Sequence, residues 1–252
     1  MEEIILENDF FIKPQPYIQN RTQWCWAVAC RIVGEQYKKR HPKWKFSILK
    51  ENESEDKVGE ISLEEYEKGV FTKDEKGIRV EAVGKKEGYF TIDGWQRAIV
   101  ANANTGVGIG YEGDIAGDDE AKERGIKYVI TGDIFCKEIE IENLGYYQEE
   151  ESIFHQYKEE IMKVLKRKEY ILVNVVLEEG QIYHTMVLLE IKRKEAYLYD
   201  PWNGMIIEEK IEDIFEKGFY IELGKGIVKW IQFVEEKKYD FRESDIRKIL
   251  KK

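Results

Sequence analysis

The chain has 252 residues, 42% hydrophobic and 13% aromatic, enough apolar content to bury a core and to exclude an intrinsically disordered polymer. Its 40 Lys and Arg stand against 50 Asp and Glu, and the net charge of -10 excludes a protein built mainly to grip phosphate backbones, so nucleic acid is not an expected partner. One large domain, or two lobes sharing a cleft, both fit this length.

The opening segment MEEIILENDFF carries acids where a secretory signal would carry basic residues and then an apolar run, and no window approaches about eighteen uninterrupted apolar residues. A soluble, unprocessed chain without a membrane span is expected, either cytoplasmic or exported by a route that needs no N-terminal signal. The three cysteines, Cys25, Cys30 and Cys136, are an odd number and fit reduced thiols better than a disulfide framework.

A first helix is predicted over WCWAVACRIVGEQYKKR, entered through Thr22 or Gln23, with Trp26, Ala29, Cys30 and Val33 on one stripe and a stop at His41-Pro42. Cys25 then falls in its first turn. From Trp44 to Gly145 the pattern fixes no topology. This stretch mixes an acidic run (ENESED), a short helical pattern (SLEEYEKGV), a second one around Gly94 to Ala103, and a glycine-rich segment (TGVGIGYEGDIAGDDE), of which TGVGIGYEG reads as a flexible loop.

After Glu150, the residues Ile153, Phe154, Tyr157, Ile161, Val164 and Leu165 share a helical stripe, and the apolar run YILVNVVL follows as a strand. EEGQ reads as a turn, IYHTMVLLEI as a second strand, RKE as a turn, and AYLYDPWNG as a third strand ending in a bend, an antiparallel meander. IEEKIEDIFEKG is then predicted as a helix, GIVKWIQFV as a strand, and the charged tail KKYDFRESDIRKILKK as a peripheral helix.

A thiol attacks a carbonyl as thiolate, and its ordinary pKa of about 8.5 must be lowered for that at neutral pH. The unpaired N–H groups and positive dipole of a helix start would do so for Cys25. A base is also needed, and the chain has three histidines. His41 reads as a helix-end residue and His155 as part of an amphipathic helix, whereas His184 sits in a strand directly before the run TMVLLEI. Asp200, sixteen residues beyond His184, ends the next predicted strand, so a hairpin brings the two side by side.

The segment QNRTQWCWAVAC resembles the active-site helix of bacterial papain-like cysteine peptidases, in which a glutamine six positions before the nucleophile precedes a Cys-Trp pair. The histidine strand and Asp200-Pro201-Trp202 are similar to the same family's later motifs. The resemblance covers about Gln15 to Arg40 and Glu150 to Val234. It implies an α+β papain-like fold, with an N-terminal catalytic helix packed on an antiparallel β-sheet lobe. As a single catalytic domain over 1-252, this divides into a helical lobe with an insert at about 15-145, a sheet lobe at 146-235 and a charged C-terminal helix at 236-252.

The resemblance further implies that Cys25 is the nucleophile, His184 the general base, Asp200 its orienting partner, and Gln19 an oxyanion donor beside the nucleophile's own N–H. Gln15 and Gln23 are local rivals to Gln19, and Asn203 rivals Asp200 because plant-type papains use asparagine. The implied activity is hydrolysis of peptide bonds in a peptide or protein substrate through a thioester. Leader peptidases and effector proteases both occur among such relatives. Acyl transfer by the same triad and an inactive protease-like binding module are the alternatives.

No cofactor or metal is expected. TGVGIGYEG lacks the Gly-Lys-Ser/Thr of a phosphate loop, and Cys25 with Cys30 has no partner pair at zinc-finger spacing. Nothing in the sequence sets the oligomeric state.

Overall fold

The computed structural model describes residues 18–19, 22–41, 70–74, 77–81, 90–91, 96, 99–100, 102–103, 115–145, 152–177 and 183–236. Helix α1 (Cys25–Arg40) starts one residue later than the sequence predicts, with Trp24 rather than Gln23 at its N-cap, and is capped at its C-terminus by His41, whose N–H bonds the carbonyls of Tyr37 and Lys38. Burial is not confined to one stripe: Cys25 to Cys30, Ile32 to Gly34, Gln36 and Tyr37 are all buried. The reason is that α1 is enclosed, packing on a second helix, α2 (Asp119–Thr131), and against the main sheet. At Gly34 and Gly125 the two helices come so close that an added Cβ would meet Val129 at 2.6 Å and Cys30 Sγ at 3.0 Å respectively.

The stretch whose topology the sequence leaves open thus supplies α2, capped by the Asp118 side chain at the Ala121 N–H and ended by Gly132 in the left-handed region (φ 77°). Asp119 and Glu120, at the end of the glycine-rich segment, open this helix. The same stretch contributes a three-stranded antiparallel sheet, β1 (Val70–Asp74), β2 (Gly77–Glu81) and β3 (Phe90–Thr91), and the strand β4 (Ile139–Leu144). Gln96, Ile99, Val100, Asn102 and Ala103 are helical, as their pattern predicts. The short helical pattern SLEEYEKGV lies outside the described residues except for Val70, which opens β1, and the C-terminal helix predicted over 237–252 lies outside them too.

The helical stripe after Glu150 folds as two segments, α3 (Ile153–Gln156) and α4 (Lys158–Lys166), parted at Tyr157 (φ -118°). The stripe still works across the break, since Ile153, Phe154, Ile161 and Val164 all bury in one cluster. Next come β5 (Ile171–Leu177), β6 (Tyr183–Lys192), β7 (Glu195–Asp200), β8 (Met205–Lys210), a π-helical turn (Asp213–Lys217), β9 (Phe219–Ile221) and β10 (Gly224–Glu236). The predicted helix IEEKIEDIFEKG is therefore corrected at residues 207–210, which are strand, while residues 211–217 are helical. Its Glu- and Lys-rich residues pair along β7, Leu198 opposite Ile207 and Tyr199 opposite Ile206, so tertiary pairing overrides local helix propensity.

The seven-stranded sheet is antiparallel in the order β4-β10-β5-β6-β7-β8, with β9 paired to the early part of β10. Both faces are covered. Leu172, Val187, Leu189, Tyr197 and Tyr199 join α1 and α2 in one core, while Ile171, Val173, Leu188 and Leu198 join α3, α4 and the π turn in another. That two-sided burial is why β5 reads as an apolar run interrupted only at Asn174. The protein is thus an α+β structure of helices on an antiparallel sheet. No described helix is long and apolar enough to cross a membrane.

Candidate active site

Strand pairing and the helix start converge at one end of α1. In the β6–β7 register Val187 faces Tyr199, so His184 and Asp200 lie diagonally across the strand ends. His184 Nε2 meets Asp200 Oδ1 at 2.6 Å, with the side chains 2% and 0% exposed. With Nε2 held by the carboxylate, Nδ1 is the ring nitrogen left for a second partner. That partner is Cys25, which interacts with His184 by hydrogen bond and by charge. The Thr185 N–H also donates to Cys25 Sγ at 3.4 Å.

The charges follow from this geometry. Burial alone would raise the Cys25 thiol, but the adjacent His184 cation, its hydrogen bond and the Thr185 N–H outweigh it and hold the thiol below its ordinary pKa. Burial alone would lower His184, but the Cys25 thiolate and the Asp200 hydrogen bond prevail and raise it well above the usual imidazole value. The pair is thus balanced toward thiolate and imidazolium, and the positive end of α1 favours the same anion. Cys30, on the same helix, is the opposite case: burial raises its thiol, which donates to the Lys122 carbonyl at 3.3 Å.

Asp200 is itself fixed. Its Oδ1 also accepts from the Trp202 N–H at 2.8 Å, and its carbonyl accepts from the Gly204 N–H at 2.9 Å, closing the turn after β7. Asn203, the rival orienter, accepts from the Met205 N–H at 3.1 Å within that turn, and His184 is bonded to Asp200 instead. Gln19 is 3% exposed. Its N–H donates to the Pro201 carbonyl at 2.9 Å and its side-chain Nε2 to the Thr22 carbonyl at 2.9 Å, so it spans the Asp200 turn and the approach to α1. Gln23 is exposed, and Gln15 lies outside the described residues. Cys25, as the first helical residue, has a backbone N–H outside the helix ladder.

The other two histidines are elsewhere. His41 bonds Glu169 at the far end of α1, and His155 lies in α3 beside Ser152 and Glu216. Sequence reasoning missed Thr185, whose N–H meets Cys25, and a polar group of side chains beyond it. Thr185 Oγ1 donates to Asn174 Oδ1 at 3.1 Å, and Trp230, opposite Asn174 on β10, donates from Nε1 to Asp119 Oδ1 at 3.1 Å. Lys122, 4% exposed, lies 3.5 Å from that carboxylate oxygen and 5.5 Å over the Trp230 ring, whose neighbour Tyr183 opens to solvent. Asn174 had a signal: it is the one polar residue in ILVNVVL.

Among the described residues no cluster of His, Cys, Asp or Glu could hold a metal ion. Comparisons with models of protein families, with curated proteins and with solved structures find no match to this chain.

Proposed function

We propose that this chain is a papain-like cysteine peptidase that hydrolyses peptide bonds in a peptide or protein substrate through a thioester on Cys25. The observation that carries the reading is the buried Cys25–His184–Asp200 chain at the start of α1. Cys25 Sγ attacks the scissile carbonyl carbon, the carbonyl π electrons move to oxygen, and the oxyanion is met by the Cys25 N–H and the Gln19 amide. As the intermediate collapses, the C–N bond breaks and the His184 imidazolium gives its proton to the leaving amine. His184, now neutral, takes a proton from water, whose oxygen attacks the thioester and releases the acid and the thiolate. Asp200 keeps the ring oriented throughout.

The test is a peptide library derived from a whole proteome, incubated with wild-type protein and with Cys25→Ala and read by mass spectrometry for new termini. Cleavage by wild type and none by the variant is the expected outcome. No cleavage by either protein would overturn the peptidase reading, and an amide product preferred over free acid when an amine is added would replace it with acyl transfer.

A further inference from the structure

We propose that Thr185 and Asn174 are positioning residues for the nucleophile, their side-chain hydrogen bond holding β6 so that the Thr185 N–H stays aimed at Cys25 Sγ. The inference rests on the reading of Cys25 as nucleophile. Thr185 lies beyond the last β7 partner of β6, Val187 opposite Tyr199, so its N–H is left for an acceptor outside the sheet. The sulfur is that acceptor, at 3.4 Å.

Packing alone does not call for Asn174. It is 1% exposed in a strand whose other residues are apolar, directly opposite Thr185 in the β5–β6 register. A buried amide costs stability unless both of its ends are bonded. Here one end bonds the Thr185 hydroxyl, and the Nδ2 end meets no acceptor among the described residues. An aliphatic residue at 174 would avoid that penalty. What the polar pair adds is a directional cross-strand tie one residue from His184, opposing the twist that would swing the Thr185 amide off the sulfur.

The charged and titratable groups around Cys25 come from every element packed there: His184 on β6, Asp200 behind it on β7, Lys122 and Asp119 on α2, and Cys30 on α1 itself. His184 supplies the nearest opposite charge. The Thr185 N–H supplies the bond whose direction depends on backbone placement, and such bonds to an ionised acceptor are the strong ones.

The test needs no substrate. Carboxamidomethylation of Cys25 by iodoacetamide is followed against pH by peptide mass spectrometry in wild type, Thr185→Val, Thr185→Ser and the double variant Thr185→Val/Asn174→Leu. The double variant removes both partners at near-constant shape, so it folds even where Thr185→Val leaves a damaging orphan amide. Its midpoint is expected to rise by about half to one pH unit, roughly three- to tenfold less thiolate at a fixed acid pH, and Thr185→Ser is expected to restore the wild-type midpoint. A folded double variant with an unchanged midpoint would overturn the positioning role and leave the peptidase reading standing. A wild-type Cys25 that titrates as an ordinary thiol would overturn both.

Discussion

The two ends of α1 each hold a histidine against a carboxylate, and only one of these histidines also faces a thiol. At the N-terminal end His184 meets Asp200 at 2.6 Å; at the C-terminal end His41 meets Glu169 at 2.8 Å. The difference lies on the other ring nitrogen. His41 Nδ1 faces a second carboxylate, Glu236, at 3.4 Å, and the ring stacks on Tyr37 with centroids 4.1 Å apart, so the imidazole is clamped between anions. His184 instead faces a thiol at the positive end of a helix dipole. The histidine–carboxylate contact is thus common to both ends, and the third partner is what differs. The largest expected effect tests this contrast: His184→Ala should cut turnover of a cleaved peptide by on the order of 10³-fold or more, while His41→Ala leaves it within a few-fold. Equal losses in the two variants would erase the distinction.

Within the N-terminal site, the comparison sharpens on the orienting residue. Asp200→Asn keeps the shape but changes the partner of Nε2, and a loss on the order of 10²-fold in kcat is expected. Asn203→Ala touches only the turn bond to Met205 and should stay near wild type. A larger loss at Asn203 than at Asp200 would reassign the role.

The pH dependence should separate thiol from imidazole. In the proposed mechanism the reactive pair is thiolate with imidazolium. Turnover should rise as Cys25 loses its proton at a pH below the ordinary thiol value of about 8.5, and fall as His184 loses its own above the ordinary imidazole value of about 6.5. Alkylation of Cys25 needs only the thiolate, so it should show the acid limb and no alkaline decline. Cys30, with its thiol raised by burial, should stay unlabelled across the range. A bell in turnover without an acid-shifted alkylation midpoint would break the ion-pair picture.

What was legible in the sequence was whatever depends on local pattern. Cys25 at a helix start, His184 on a strand and Asp200 at the end of the next follow from periodicity and turn residues, and the hairpin then forces the last two together. β8 was hidden because its Glu- and Lys-rich residues favour helix until β7 offers them an edge, whereas the helical turn after it falls within the predicted helix. Helix α2 was hidden by its glycine-rich approach, although Asp118 and Gly132 mark both ends once the helix is known. Thr185, Asn174 and Trp230 are aligned by register across β6, β5 and β10, and no local pattern encodes which residues of distant strands fall opposite one another.

The smallest expected effect concerns the clamp at the other end of α1. Glu169, whose side chain is 4% exposed, is held by His41 and also, through Nε at 2.9 Å and a terminal nitrogen at 2.7 Å, by Arg167. Removing the His41 ring therefore leaves the buried carboxylate paired, and the loss should be the modest one of a half-exposed contact plus one ring stack, about 1 kcal/mol or a few degrees in Tm. Glu169→Ala should cost more, because it leaves Arg167 and His41 short of their common anion. Thermal melts of the two variants, with the Cys25 alkylation midpoint unchanged in both, would establish this end of α1 as an anchor. A shifted midpoint in either would mean that the two ends are coupled through the helix, and the clamp would then have to be counted as part of the reactive site.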